Sequence, residues 1–197
     1  MKKYFVEGLG AFALTLVGGL SIAGQFPVST PVLAALVLGL FIYSIGHISG
    51  AHIDPAVTIG LWSVKQIRNA DALNYIGAQF IGAALAYFLT SSVGPVGASA
   101  GIVVSNSLAV GLAELVGTFF FTFGIASVVY EKAPGHFSGF VIGGSLLLGI
   151  TVSALLGANG VLNPAVAFGI GSFGIMYVLG PIIGSVLGMQ VYKSLEN

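Results

Sequence analysis

Apolar residues run along this chain in stretches far longer than a buried soluble helix needs. Residues 8–53, 72–113 and 133–192 contain no Asp, Glu, Lys or Arg. Each stretch holds at least two membrane spans, because one helical crossing takes about 20 residues. Breaks placed at the Gly, Pro, Ser and charged clusters give six full spans at roughly 4–24, 31–49, 71–93, 107–130, 138–157 and 174–193. Two apolar pieces remain, 54–64 and 163–173, both too short to cross ~30 Å of hydrocarbon. Each opens on an Asx-Pro-Ala triplet, Asp54-Pro55-Ala56 and Asn163-Pro164-Ala165, a capping side chain followed by proline in the first helical turn. They read as half-helices, and the fold class is an all-α membrane protein of six transmembrane helices plus two half-helices.

The pattern also repeats. Glu7-Gly8-Leu9-Gly10-Ala11-Phe12 opens the first span, and Glu114-Leu115-Val116-Gly117-Thr118-Phe119 opens the fourth, 114 − 7 = 107 positions on. The two Asx-Pro-Ala triplets are 163 − 54 = 109 positions apart. Two three-span units of one design follow, about 1–93 and 107–193, joined by a loop over 94–106. Because three is odd, the second unit enters from the opposite side and is inverted, an arrangement in which broken helices meet near the midplane.

Composition sharpens this picture. Only 6% of the 197 residues are charged and 56% are hydrophobic, whereas a soluble domain carries about 25% charged residues. Cysteine is absent and the formal net charge is zero, which removes disulfides and thiolate chemistry and leaves no basic surface for nucleic acid. The Met1-Lys2-Lys3 start resembles a secretory signal, but Glu7 sits inside what would be its apolar core and no polar mature domain follows. With the N-terminus inside, Lys2, Lys3, Lys65, Arg68, Lys132 and Lys193 all fall at cytoplasmic ends. A multi-pass cell-membrane protein with both termini cytoplasmic is therefore expected.

Non-helical backbone at membrane depth is tolerated only where it is buried or lines a watery cavity. Residues 47–53 and 157–162 supply two such stretches, whose carbonyls are expected to form a polar ladder. Each leads into a half-helix whose N-terminal N–H groups and positive dipole end point at the midplane. That combination disfavours cations and protons while it passes a neutral hydrogen-bonding solute.

The segment His47-Ile48-Ser49-Gly50-Ala51-His52-Ile53-Asp54-Pro55-Ala56-Val57-Thr58 resembles the first pore-loop motif of the aquaporin (major intrinsic protein) family, one residue from its usual Asn-Pro-Ala. Gly160-Val161-Leu162-Asn163-Pro164-Ala165 is similar to the second. Tyr75 to Ala83, Glu114 to Phe119 and Gly180 to Gly184 add supporting likeness, so that the resemblance covers essentially the whole chain. It implies a single transmembrane channel domain over 1–197, one pore per subunit, a homotetramer, and water or a small uncharged solute as partner beside the lipid bilayer. Residue by residue, the family's paired midplane asparagines map onto Asp54 and Asn163. The family's filter arginine maps onto Val166, and the other filter positions onto Ala34, Gly160 and Thr151 or its neighbour Ile150. Without the arginine, and with small residues at Ala34 and Gly160, the filter is expected to be wide and weakly selective. The glycerol-conducting subgroup usually has Asp after that arginine; Ala167 stands there, so glycerol specificity is not carried over.

Asp54 has two readings of equal weight. A carboxyl at a helix start caps backbone N–H groups as well as an amide does, yet an ionisable group at the midplane also marks an ion or proton pathway. Glu7 and Glu114, equivalent in the two repeats, are expected to hold the loop backbones rather than relay protons. His47 is expected at the cytoplasmic mouth and His52 along the pore. They lie five apart with no third ligand nearby, so no metal site is expected, and no cofactor fingerprint or catalytic constellation is present. The Gly139–Gly143 and Gly180–Gly184 spacings read as close helix packing, and the cluster at Phe119, Phe120, Phe121 and Phe123 as lipid-facing or core bulk. The function these residues imply is passive conduction of water or small uncharged solutes rather than enzyme chemistry. The rivals are an ion- or proton-conducting channel, or a proton-coupled transporter, using Asp54. A junctional scaffold ranks last, because external loops of about 6–14 residues leave little to adhere with.

Overall fold

The computed structural model describes residues 1–24, 27–93 and 105–196, so most of the expected 94–106 connection lies outside the described residues. Among the described residues, six helices are long and apolar enough to cross a membrane: α1 (Lys2–Ala23), α2 (Thr30–Ser49), α4 (Asn69–Val93), α5 (Leu108–Val129), α6 (Ser138–Leu155) and α8 (Met176–Leu195). Two short ones, α3 (Pro55–Ser63) and α7 (Pro164–Gly169), stand where the half-helices are expected. A 3-10 turn at Gly135–Phe137 precedes α6, and no strand occurs among the described residues.

The expected span over 31–49 coincides with α2, whereas the non-helical stretch expected from 47 starts only at Gly50 and the second half-helix is shorter than expected. Helix α2 continues through His47, Ile48 and Ser49, and breaks only at Gly50, whose φ of +90° a residue without a Cβ adopts freely. Helix α7 stops at Gly169 instead of reaching 173. Its last turn closes by Ser172 N–H donating to the Ala167 carbonyl, with Gly171 at φ +75°.

The pairing of helices carries the inverted repeat into three dimensions. Helix α1 packs on α2 and α4, and α5 packs likewise on α6 and α8. The short helices cross over, α3 onto α8 and α7 onto α4, while α2 meets α6 and α3 meets α7 on the line between the repeats. With no apolar driving force between helices in lipid, close approach of backbones is what holds such a bundle. Between α5 and α6, a Cβ added at Gly117 or Gly149 would stand 2.5 Å from the other's carbonyl oxygen. Large apolar side chains such as Leu40, Leu85, Phe88, Phe140 and Leu155 stay exposed on the outside of the bundle, where lipid is their solvent.

Candidate pore

The two Asx-Pro-Ala triplets begin the half-helices at the centre of the molecule. Ala56 N–H donates to Asp54 Oδ1 (2.7 Å), and Ala165 and Val166 N–H donate to Asn163 Oδ1 (3.0 and 3.1 Å). Each Asx side chain thus satisfies N–H groups that the first helical turn leaves without a partner. Asn163 Nδ2 also donates to the Ile53 carbonyl (3.1 Å), which ties the start of α7 to the loop before α3. Pro55, Ala56, Pro164 and Ala165 are buried beneath this junction.

Behind the loops stand two buried glutamates. Ser49 Oγ–H (2.6 Å) and His52 N–H (2.9 Å) donate to Glu7 Oε1, while Ile53 N–H (2.7 Å) and Gln79 Nε2 (2.9 Å) donate to Oε2. In the other repeat Ser153 Oγ–H and Val161 N–H donate to Glu114 Oε1, and Leu162 N–H to Oε2, at 3.1, 3.1 and 2.7 Å. Both carboxyls therefore accept from equivalent loop backbones, with Ile53 and Leu162 held at φ +44° and +57°. A residue with a side chain persists at such φ only where its surroundings over-determine it. Within the stretch 47–53, the Ser49 carbonyl already accepts from Tyr75 Oη–H (2.8 Å) and the Ile53 carbonyl from Asn163, which leaves each with one lone pair.

Two cavities follow the molecular axis. On the orientation expected from the basic residues, the outer one, about 330 Å³, is lined by Ile22, Thr30 and Pro31, by Ala34, Ile150, Gly160 and Val166, and by Asp54 and Asn163. The inner one, about 350 Å³, runs from His47, Gln66 and Ser138 past Ile42 and Ile125. Leu38, His52 and Phe121 line both.

One expected lining residue is displaced by a single position. Thr151 is exposed, with its hydroxyl donating back to the Leu147 carbonyl (2.7 Å), and Ile150 takes the pore face. One residue is about 100° of rotation on a helix, so the two side chains cannot share that face. Ile150 also abuts Gly160, where a Cβ would stand 2.7 Å from the Ile150 carbonyl oxygen. Leu38 and Phe121 were not expected at the pore. The signal was present in helical spacing: Leu38 is one turn beyond Ala34, and Phe121 two turns beyond Glu114. Of the phenylalanine cluster, Phe119 and Phe123 stack on each other, Phe120 is exposed, and only Phe121 lines the cavities. No group of three or more potential metal ligands occurs among the described residues.

A chain with six spans, two capped half-helices meeting at mid-depth and a lumen between the repeats is a multi-pass membrane protein of channel architecture. The family model for the major intrinsic proteins matches residues 5–192, and the chain belongs to that family. It is 34% identical over 229 residues to aquaporin AqpM of Methanothermobacter thermautotrophicus, covering 98% of this chain and 92% of that one. It is 38% identical over 186 residues to a probable aquaporin AqpM of Archaeoglobus fulgidus (83% and 74% covered), and 31% identical over 227 residues to aquaporin Z of Bradyrhizobium diazoefficiens (100% and 94%). The X-ray structure of the aquaglyceroporin from Plasmodium falciparum superposes with a TM-score of 0.72 at 23% identity over 99% of this chain and 96% of that one. That likeness concerns the fold.

Proposed function

We propose that the chain is a passive channel for water and other small uncharged solutes, working as a homotetramer in the cell membrane with both termini cytoplasmic and without a cofactor. The observation that carries this reading is the lumen lined in turn by Ala34, Ile150, Gly160 and Val166 and then by the paired half-helix caps Asp54 and Asn163. The relatives named aquaporins supply the solute class. Asn163 retains one amide hydrogen for a passing solute after donating to Ile53, and Asp54 offers carboxyl oxygen opposite it. With no arginine among the lining residues, the outer ring is wide and apolar on one side.

The second reading is an ion- or proton-conducting channel, or a proton-coupled transporter. It draws on the carboxyl of Asp54 in the cavity wall together with the lack of any Lys or Arg among the lining residues of either cavity. Such a cation would otherwise raise the electrostatic barrier to other cations.

Stopped-flow light scattering on proteoliposomes, with water, urea and glycerol as solutes and a trapped pH dye, separates the two. The expected result is water flux well above that of empty liposomes with no proton leak. Proton or cation current without water flux would overturn the proposal.

A further inference from the structure

The outer ring is the natural place to look for a size limit, yet the lumen is not interrupted there. One cavity extends from Ile22 and Thr30 through the ring of Ala34, Ile150, Gly160 and Val166 to Asp54 and Asn163. One helical turn beyond Ala34, Leu38 lines both this cavity and the second one, as do His52 and Phe121, so these three residues stand where the two cavities adjoin. Leu38 and Phe121 are each only 2% exposed. Phe121 is backed by the α5–α6 contact, since a Cβ at Gly149 would stand 3.1 Å from Phe121 Cβ. The neck is therefore formed by two buried apolar side chains and an imidazole.

The orientation of that imidazole follows from hydrogen-bond counting. Thr58 Oγ1 has one proton, and the Asp54 carbonyl, which can only accept, takes it at 2.9 Å. Gln79 Nε2 donates to the same hydroxyl oxygen (3.0 Å), and His52 Nδ1 lies 3.2 Å from it. With the hydroxyl proton committed, His52 Nδ1 must be the donor. The neutral ring then carries its lone pair on Nε2. Tyr75 packs edge-on against the same ring at 5.1 Å between centroids, and the His52 backbone N–H is fixed by Glu7. Nε2 has no hydrogen-bond partner among the described residues.

We infer that the solute cut-off of this channel is set on the cytoplasmic side of the midplane, at the neck of Leu38 and Phe121 facing His52 Nε2. The permeant there is a slim molecule that donates a hydrogen bond to that nitrogen. This rests on the channel reading. A solute passing two apolar walls sheds most of its hydration and regains one partner at Nε2, so width and donor ability are selected at the same point. Water meets both conditions, whereas glycerol, with a carbon backbone and three hydroxyls, loses more partners than the neck returns.

Permeabilities of water, urea and glycerol are measured in proteoliposomes for the wild type and for Phe121→Leu, Leu38→Ala and His52→Leu, each checked for folding by its thermal transition in detergent. Phe121→Leu and Leu38→Ala are expected to raise the glycerol-to-water ratio severalfold. His52→Leu leaves Thr58 bonded to Asp54 and Gln79 and is expected to lower water permeability about two- to tenfold, the effect of one hydrogen bond. Should Phe121→Leu fail to fold, Leu38→Ala carries the width test alone. Unchanged ratios in folded, water-conducting variants, with unchanged water flux in His52→Leu, would overturn the neck while leaving the channel reading in place. Absence of water flux in the wild type would overturn both.

Discussion

Asp54 occupies a position where the two chemistries of a carboxyl point in opposite directions. As a cap it accepts from Ala56 N–H at 2.7 Å, a bond an asparagine makes equally well. As a charge at the centre of the bilayer it offsets the positive end of a helix dipole, worth about half an elementary charge, and lowers the barrier to cations. The remainder of the site is built for neutral solutes, with Asn163 held by three hydrogen bonds and apolar residues on the opposite wall. Asp54→Asn is therefore expected to leave water flux within about twofold and to show the same near-zero cation leak as the wild type under an applied voltage, since the cap survives. A cation current in the wild type that vanishes in the variant would establish the ion-channel reading instead.

At the scale of the elements, the two loops depend on the two glutamates more than on their own sequence. Glu114→Ala strands the Val161 and Leu162 N–H groups and the Ser153 hydroxyl in a buried site. Each unpaired group costs about 1–3 kcal/mol, so a loss of roughly 3 kcal/mol or more is expected. Glu7→Ala strands four donors and is expected to cost at least as much. Thermal unfolding in detergent measures both. A transition unmoved in either variant would show that the loops hold their left-handed turns unaided. The placement of these glutamates was legible in the sequence because they recur at the same point of each repeat, and so were the half-helices, through Asx-Pro-Ala. The register of α6 was not. Every side of Ser138–Leu155 is apolar or small, and outward faces meet lipid as greasy as the core, so no amphipathic stripe distinguishes Ile150 from Thr151. The same uniformity hid Phe121 among its neighbours on α5. The partners of the Ser49 and Ile53 carbonyls, Tyr75 and Asn163, were not legible because they come from distant segments.

For the whole molecule, the charged residues other than the buried Glu7, Asp54 and Glu114 converge on one end of the bundle. Tyr4 Oη–H donates to Asp71 Oδ1 (2.8 Å), Lys3 and Arg68 form ion pairs with Asp71 at 2.7 and 2.8 Å, and Lys132 pairs with Glu196 at 2.6 Å. Gln66, beside Lys65, shares the mouth of the inner cavity with Val129 and Ser138, which flank Lys132, so a charged connection from each repeat lies on this side. The pairs made by Arg68 and Lys132, whose cations are exposed, add little stability; the weight of the basic residues lies in orientation, because they are retained on the cytoplasmic side during insertion. The absence of native cysteine makes this directly testable. Ser105 and Ser194 are exposed, three residues before α5 and near the end of α8. In intact cells, a membrane-impermeant maleimide is expected to label Ser105→Cys and to spare Ser194→Cys until the membrane is opened. The reverse pattern would invert the topology, placing His47 and the inner cavity on the outside and the arginine-less ring within.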